Sequence, residues 1–279
     1  MKKRTFKKFV FSLFLMIFLV SCEEVVEIDV PSGQPKLVIS AIFEVYFDEN
    51  PVIANTDVTL NISADYFEEG NPIVTNAAVF ITNLSDNSII TYNDANQDGV
   101  YKPSVSFIPE DDINYELTVI YDGETYKATN VKQKTPVLNN VEQGDETLFS
   151  GEETELKVSF TDDATQENYY IFDFDKGEFG ALEDRFFNGS DYEFSSFYQE
   201  DEVDLPETVE IKFGSVTKDY FDFFRVVLNQ SGENGGGPFQ SVPASLLGNI
   251  VNQTNFINFP LGYFHISEID RETVDLVEK

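Results

Sequence analysis

The chain has no tryptophan, one cysteine and one histidine among its 279 residues. Each shortage excludes something. One cysteine cannot close an internal disulfide, so an exported chain of this size must rely on its hydrophobic core. One histidine excludes a histidine-rich zinc site by count alone. Without tryptophan, the Cys–Trp–Cys pattern of antibody-type domains cannot be built. The same absence counts against a strong aromatic platform for sugars. Basic residues are also scarce: 18 Lys and Arg stand against 50 Asp and Glu, a formal net charge of −32. Such a chain repels nucleic acid and anionic lipid surfaces, and it attracts cations and basic partners. The simplest use of the charge is a solvated, self-repelling exterior. What the chain has in quantity is apolar: hydrophobic residues make up 42%, and phenylalanine alone supplies 27.

The cysteine sits at the end of an N-terminal stretch that reads as an export signal. Lys2, Lys3, Arg4, Lys7 and Lys8 form a basic head, and Phe9 to Val20 is an apolar run of twelve residues. A helix of that length reaches about 18 Å, against roughly 30 Å of bilayer hydrocarbon. It suits the apolar part of a signal peptide, not a transmembrane span. Leu19-Val20-Ser21-Cys22 follows and resembles a bacterial lipobox. That resemblance implies a diacylglyceryl thioether on Cys22, cleavage before it, and acylation of the new amine. Two or more acyl chains anchor stably, where one does so only marginally. The expected segments are therefore a signal peptide over 1–21 and a lipidated tether over 22–36. Removing 1–21 takes five cations and no acid, which leaves 13 basic residues against 50 acidic ones, or −37.

From Lys36 onward the apolar residues alternate with a period of two, the mark of half-buried strands. "KLVISAIFEVYF", "DVTLNIS", "AAVFITN", "SIITYN" and "GVYKPSVSF" follow one another. "NYELTVIYDGETYKATN" reads as a hairpin turning at Asp122-Gly123. This spacing predicts an all-β fold opening with an immunoglobulin-like or transthyretin-like β-sandwich over 37–130. A linker is expected at 131–140, around Pro136. A second β-rich domain is expected over 141–279, with strands at "TELKVSF", "NYYIFDFDKGEF" and "ETVEIKFG". It contains one helix near 217–229, where Tyr220, Phe223, Phe224, Val227 and Leu228 form an apolar stripe. Thr217 is placed to cap that helix, and Gly232 with Gly235–Gly237 to end it.

Groups able to do chemistry are few. His265, in "GYFHIS", reads as a strand histidine at a sheet surface. A Ser-His-Asp triad would need it, yet no G-x-S-x-G elbow supplies the serine. "SGENGGGPF" lacks the Gly-Lys-Ser/Thr of a phosphate loop. Carboxylate pairs are so numerous that a glycosidase reading would be arbitrary. No catalytic or cofactor-binding residue is assigned, and an enzyme is not expected. Asp94, Asn96 and Asp98, followed by Gly99, match the first half of a calcium loop. Val105 stands where the closing glutamate would be, and a polar turn accounts for the same residues. Calcium is thus the one metal to weigh, with the turn favoured. Tyr169 to Tyr198 holds eleven aromatic residues in thirty, interleaved with acids. Alternation sends half of them to the core, and the rest could offer a face to a sugar or peptide.

Near the C-terminal end come Pro238-Phe239, then Gly248-Asn249-Ile250, then Leu261-Gly262-Tyr263-Phe264. This order resembles the family called domain of unknown function 4249, found in outer-membrane lipoproteins of Bacteroidota. The lipid cysteine, the acids behind it, the opening "LVISAIF" and the helix before a Gly-rich turn agree with the resemblance. It implies an envelope lipoprotein, often encoded beside TonB-dependent outer-membrane receptors, and it supplies no catalytic residues. Glu23 and Glu24 resemble the signal that sends such lipoproteins to the cell surface. The expectation is a lipid-anchored outer-membrane protein, exposed at the surface. It would act as a non-enzymatic accessory or binding module, with a TonB-dependent receptor as partner. The rival expectation is a stand-alone glycan- or peptide-binding lipoprotein that uses 169–198.

Overall fold

The alternation of Leu37, Ile39, Ala41, Phe43 and Val45 becomes strand β1 (Leu37–Tyr46), with all five side chains buried. A computed structural model describes residues 34–64, 70–231 and 246–279. After β1 come β2 (Ile53–Asn55), β3 (Val58–Ile62), β4 (Ala78–Asn83), β5 (Ile89–Asn93) and β6 (Val100–Pro103). The hairpin follows as β7 (Asn114–Tyr121) and β8 (Glu124–Val131). Asp122 and Gly123 both take positive φ, 48° and 76°, as a two-residue hairpin turn of the tight mirror type requires. The chain continues with β9 (Leu138–Gln143), β10 (Thr154–Thr161), β11 (Tyr169–Asp173), β12 (Phe179–Glu183), β13 (Asp191–Tyr198) and β14 (Glu207–Val216). Helix α1 (Lys218–Ser231), β15 (Val251–Asn252) and β16 (Leu261–Leu276) complete it. The fold is all-β with one α-helix among the described residues.

Thirteen strands form one mixed sheet, and β13-β10-β9 form a second, three-stranded one. The large sheet folds over itself at β6, where Val100 and Tyr101 pair with β3 while Lys102 and Pro103 pair with β5. That corner lays β1, β3 and the start of β16 over β4, β5, β7 and β8. Ile39, Phe43, Leu60, Ile81, Leu117, Val119 and Phe264 close the first core between them. The second core lies between the three-stranded sheet and β11, β14 and the end of β16. It is built on aromatic contacts around Phe160, whose ring lies 4.8 Å from Phe213 and 5.0 Å from Tyr170. Such pairs add about 0.5–1.5 kcal/mol each beyond the area they bury.

One long strand serves both cores. β16 pairs in parallel with β1 from Leu261 to Ile269, and antiparallel with β14 from Ile269 to Leu276. Phe264 and Ile266 enter the first core, and Val274 and Leu276 the second. The stretch 131–140, expected as a linker, is bound to this strand. Gln133 bridges Ser267, the Thr135 hydroxyl donates to the Glu268 carbonyl at 2.6 Å, and Asp270 accepts from the Leu138 amide at 2.6 Å. Lys132 is nearly buried between Asp111 and Glu268, at 2.6 and 2.9 Å. Pro35–Lys279 accordingly forms one compact unit holding two cores.

Helix α1 covers the face of the large sheet opposite the second core. Its first turn is capped as expected, with the Tyr220 amide donating to the Thr217 hydroxyl at 3.3 Å. Tyr220, Phe221 and Leu228 are buried beneath it, and Tyr220 and Phe223 both lie 4.9 Å from the Tyr263 ring.

Candidate functional site

The sheet forks under helix α1. The β14–β16 ladder stops at Gly214 opposite Ile269. Beyond that pair, β14 stays with β11 as far as Val216, while β16 follows β1 to Leu261. The diverging backbones are held by side chains in place of a ladder. The Ser267 hydroxyl donates to the Ser215 carbonyl at 2.6 Å, and the Ser215 amide donates to Thr135 Oγ1 at 2.8 Å. A wedge remains between the strands and the helix, a cavity of about 180 Å³. Ile171, Val216, Phe224 and Ile269 give it apolar walls, and Phe179, Glu44, Asp173 and Lys212 stand around it with part of their surface in solvent.

His265 projects into this wedge and is 1% exposed. Its ring lies parallel to that of Tyr220, with centroids 4.3 Å apart and 3° between planes. The backbone of Ser215 acts on the ring as a hydrogen-bond partner too loosely placed to count as a full bond, and the buried Ser215 hydroxyl has no partner. Burial pushes the imidazole down from 6.5 to about 3, with the Ser215 backbone opposing that in smaller measure. At neutral pH the ring is therefore uncharged, with one N–H to donate and one lone pair to accept. A buried polar group left without a partner costs about 1–3 kcal/mol. The sheet-surface position expected for His265 is corrected by the helix: α1 lies over that surface and makes it interior.

The acidic loop is a turn in its geometry. Asp94 accepts the Asp98 amide at 3.1 Å and the Gly99 amide at 3.0 Å, and Asp98 accepts the Val100 amide at 3.0 Å. Asn96 reaches Asp98 at 3.5 Å. Gly99 has φ 79°, and a Cβ there would lie 2.9 Å from the Leu60 carbonyl oxygen. A wider cleft of about 610 Å³ lies beside Gln143–Glu155 and is lined by many acids. Its two buried carboxylates are engaged internally. Glu153 accepts the amides of Leu148, Ser150 and Gly151, and Glu155 those of Glu146 and the Ser195 hydroxyl.

The aromatic stretch is mostly interior. Tyr170, Phe172, Phe174, Phe187 and Tyr198 are buried, and Tyr192 and Phe194 pack against the same core. Phe186 is exposed, while Phe179 is partly exposed beside the wedge, 5.7 Å from Phe224. Ile171, Asp173 and Phe179 thus reach the wedge from this stretch. Cys22 lies outside the described residues. What sequence reasoning missed is that His265, Tyr220 and Ser215 meet at one place. The i, i+2 spacing of Tyr263, His265 and Ser267 was a signal that they share a face.

Fold and wedge together define a two-core β protein whose shared sheet carries a helix-roofed pocket. The chain matches the family described as Domain of unknown function (DUF4249) across residues 23–273, and it belongs to that family. No curated protein matches it.

Proposed function

We propose that this chain is an acylated envelope lipoprotein, anchored to the outer membrane through Cys22 and working as a non-enzymatic binding or accessory module. The observation that carries the reading is a coincidence of boundaries. The family match begins at residue 23, immediately after the cysteine that ends the basic head and apolar run. The family region then starts directly behind the anchor and runs to residue 273. Binding is favoured over reaction because His265 has neither a carboxylate nor a hydroxyl partner to make it a general base. Glu23 and Glu24 support exposure on the outer face, and a TonB-dependent receptor is the partner in view.

Cys22→Ala tests the anchor. Metabolic labelling with a fatty acid should mark the native chain and leave the variant unmarked, as unprocessed precursor. Labelling of the variant would overturn the reading. Cross-linking in intact outer membranes tests the partner: a barrel receptor should co-purify with the native chain. Recovery of the chain without one, at full cross-linking efficiency, would leave it a stand-alone binder.

A further inference from the structure

We propose that the turn between β15 and β16 is a second contact with the lipid bilayer, at which Phe256 and Ile257 enter the headgroup region of the membrane that holds the anchor. This goes beyond the envelope role proposed above and rests on its anchor at Cys22.

The turn is built to present its tip. Phe256 is 73% exposed and Ile257 86%, side by side in the chain. Asn252 is buried at the base. Its Oδ1 accepts the amides of Thr254 and Asn255, both at 2.9 Å, and its Nδ2 donates to the Asn258 carbonyl at 2.8 Å. Asn255 Oδ1 accepts the Ile257 amide at 3.2 Å, and the Asn255 carbonyl accepts the Asn258 amide at 3.0 Å. Gln253 and Thr254 tie the turn to Thr125 of β8. The amides of Thr254, Asn255, Ile257 and Asn258 are thus satisfied inside the turn. That suits entry into a bilayer, where a backbone group without a partner is costly.

The chain enters the folded unit beside this turn. Pro35 opens that unit. Lys36 Nζ approaches Asn258 Oδ1 at 3.5 Å and lies 4.2 Å from the centre of the Phe259 ring. β1 and β16 run parallel from this end, with Val38 opposite Leu261. Cys22 stands fourteen residues before Lys36, so full extension puts its acyl chains no further than about 50 Å from this turn's base.

Charge and area select lipid as the occupant. Residues 234–267 contain no Asp, Glu, Lys or Arg, although charged residues make up 24% of the chain. Glu124, beside the base of the turn, is engaged there, its Oε2 accepting from Asn252 at 3.0 Å and Asn258 at 2.5 Å. An uncharged tip can meet a zwitterionic surface without the repulsion that the acidic exterior meets elsewhere. The two side chains expose roughly 300 Å², against about 800 Å² per partner in a specific protein interface. Apolar groups that sink about 5–10 Å into the headgroup boundary need no such complementary surface.

The chain has no tryptophan, so Phe256→Trp places the only one at the tip. The control is Phe149→Trp. Phe149 is fully exposed on the β9–β10 loop, near the other end of β16, where Gln143 and Val277 exchange hydrogen bonds. Sixteen residues of β16 separate the two ends, up to about 50 Å. Each full-length acylated variant is placed in phosphatidylcholine vesicles whose acyl chains carry bromine. Phe256→Trp should emit to the blue of Phe149→Trp and lose most of its emission to the bromine, while Phe149→Trp keeps its own. If Phe256→Trp does not fold, Ile257→Trp takes its place. Emission at the tip as in water would overturn the proposal, and is the result expected if a protein, not lipid, covers the tip. Equal quenching at Phe149→Trp would overturn it too. A chain that takes no fatty-acid label fails at the anchor, and this contact with it. A labelled, vesicle-bound chain with a water-exposed tip fails here alone.

Discussion

Gly262→Ala probes the place where β16 joins the first core. Gly262 pairs with Ile39 of β1, and Ile39 is fully buried. Its φ is +97°, and a Cβ built on it would lie 2.0 Å from the Ile39 carbonyl oxygen and 2.7 Å from the carbonyl carbon. These are backbone atoms in the middle of a sheet, so no side chain can swing aside. The left-handed conformation alone costs an L-residue about 1–2 kcal/mol. Relief of the clash must part β1 from β16, at about 1 kcal/mol for each ladder bond weakened. With two such bonds the total is about 3–4 kcal/mol, a large share of the roughly 5–15 kcal/mol that holds a domain folded. The control is Gly123→Ala in the β7–β8 hairpin, where φ is +76° and nothing lies within 4 Å of the added Cβ. That variant should lose only the conformational part. At roughly 2–4 °C per kcal/mol for a domain of this size, Gly262→Ala should lower Tm by about 10 °C and Gly123→Ala by about 3–4 °C. Thermal unfolding followed by far-UV circular dichroism measures both. Equal losses in the two would refute the close approach of β16 to β1.

Asp94→Ala should cost about 1–2 kcal/mol through the two amides it leaves unpaired, and calcium and magnesium should shift Tm equally little in native chain and variant. A large rise with calcium alone, abolished by the substitution, would show an ion site at Asp94, Asn96 and Asp98. His265 sets a pH dependence: its folded value of about 3 lies below the ordinary 6.5, so below pH 6.5 the unfolded chain takes up a proton that the folded chain refuses. Stability therefore falls with pH from about 6.5 towards 3, by up to about 1.4 kcal/mol per pH unit; His265→Leu should flatten the Tm profile between pH 6.5 and 5, and an unchanged slope would contradict burial of the neutral ring. Limited proteolysis should spare 131–140, because Gln133 and Thr135 are hydrogen-bonded to β16; release of two stable fragments divided there would show that the cores separate.

Legibility followed the range of the interaction. β1, β4, the β7–β8 hairpin and β10 could be read because alternation and turn chemistry are local. Helix α1 was legible from its 3.6-residue period and Thr217. The tie between 131–140 and the last strand was not, because Pro136 and the polar residues around it carry the composition of a linker. Their partners, Ser267, Glu268 and Asp270, lie more than 130 residues away. The parallel pairing of β16 with β1 leaves no local signature either, since the crossover spans most of the chain. The wedge is a consequence of that pairing. His265 became a buried group only when α1 closed over a fork that no window of sequence contains.

The motifs that carry the family resemblance can now be given physical roles, and they concern the scaffold. Asn249 uses its side-chain amide as a strand would use its backbone: Oδ1 accepts the Phe264 amide at 2.9 Å, and Nδ2 donates to the Phe264 carbonyl at 2.8 Å. Gly248 lets this happen, since a Cβ there would fall 1.6 Å from the Gly262 carbonyl oxygen. Gly262 in turn lets β16 close on β1. Gly248, Asn249, Gly262 and Phe264 form a clasp that fixes the start of β16, and with it the run of β16 past His265 to the fork at Ile269. The walls of the wedge come in part from β11, β12, β14 and α1, at Ile171, Phe179, Val216 and Phe224, beside Ile42 and Phe43 of β1 and Ile269 of β16. Ile171, Phe179 and Val216 belong to none of the resembling motifs, while Phe224 stands on the helix that agrees with them. A wall residue of β11, β12 or β14 can therefore be replaced at constant volume without touching the clasp. The shape of the wedge should then follow residues 171, 179, 216 and 224, while stability follows 248, 249 and 262.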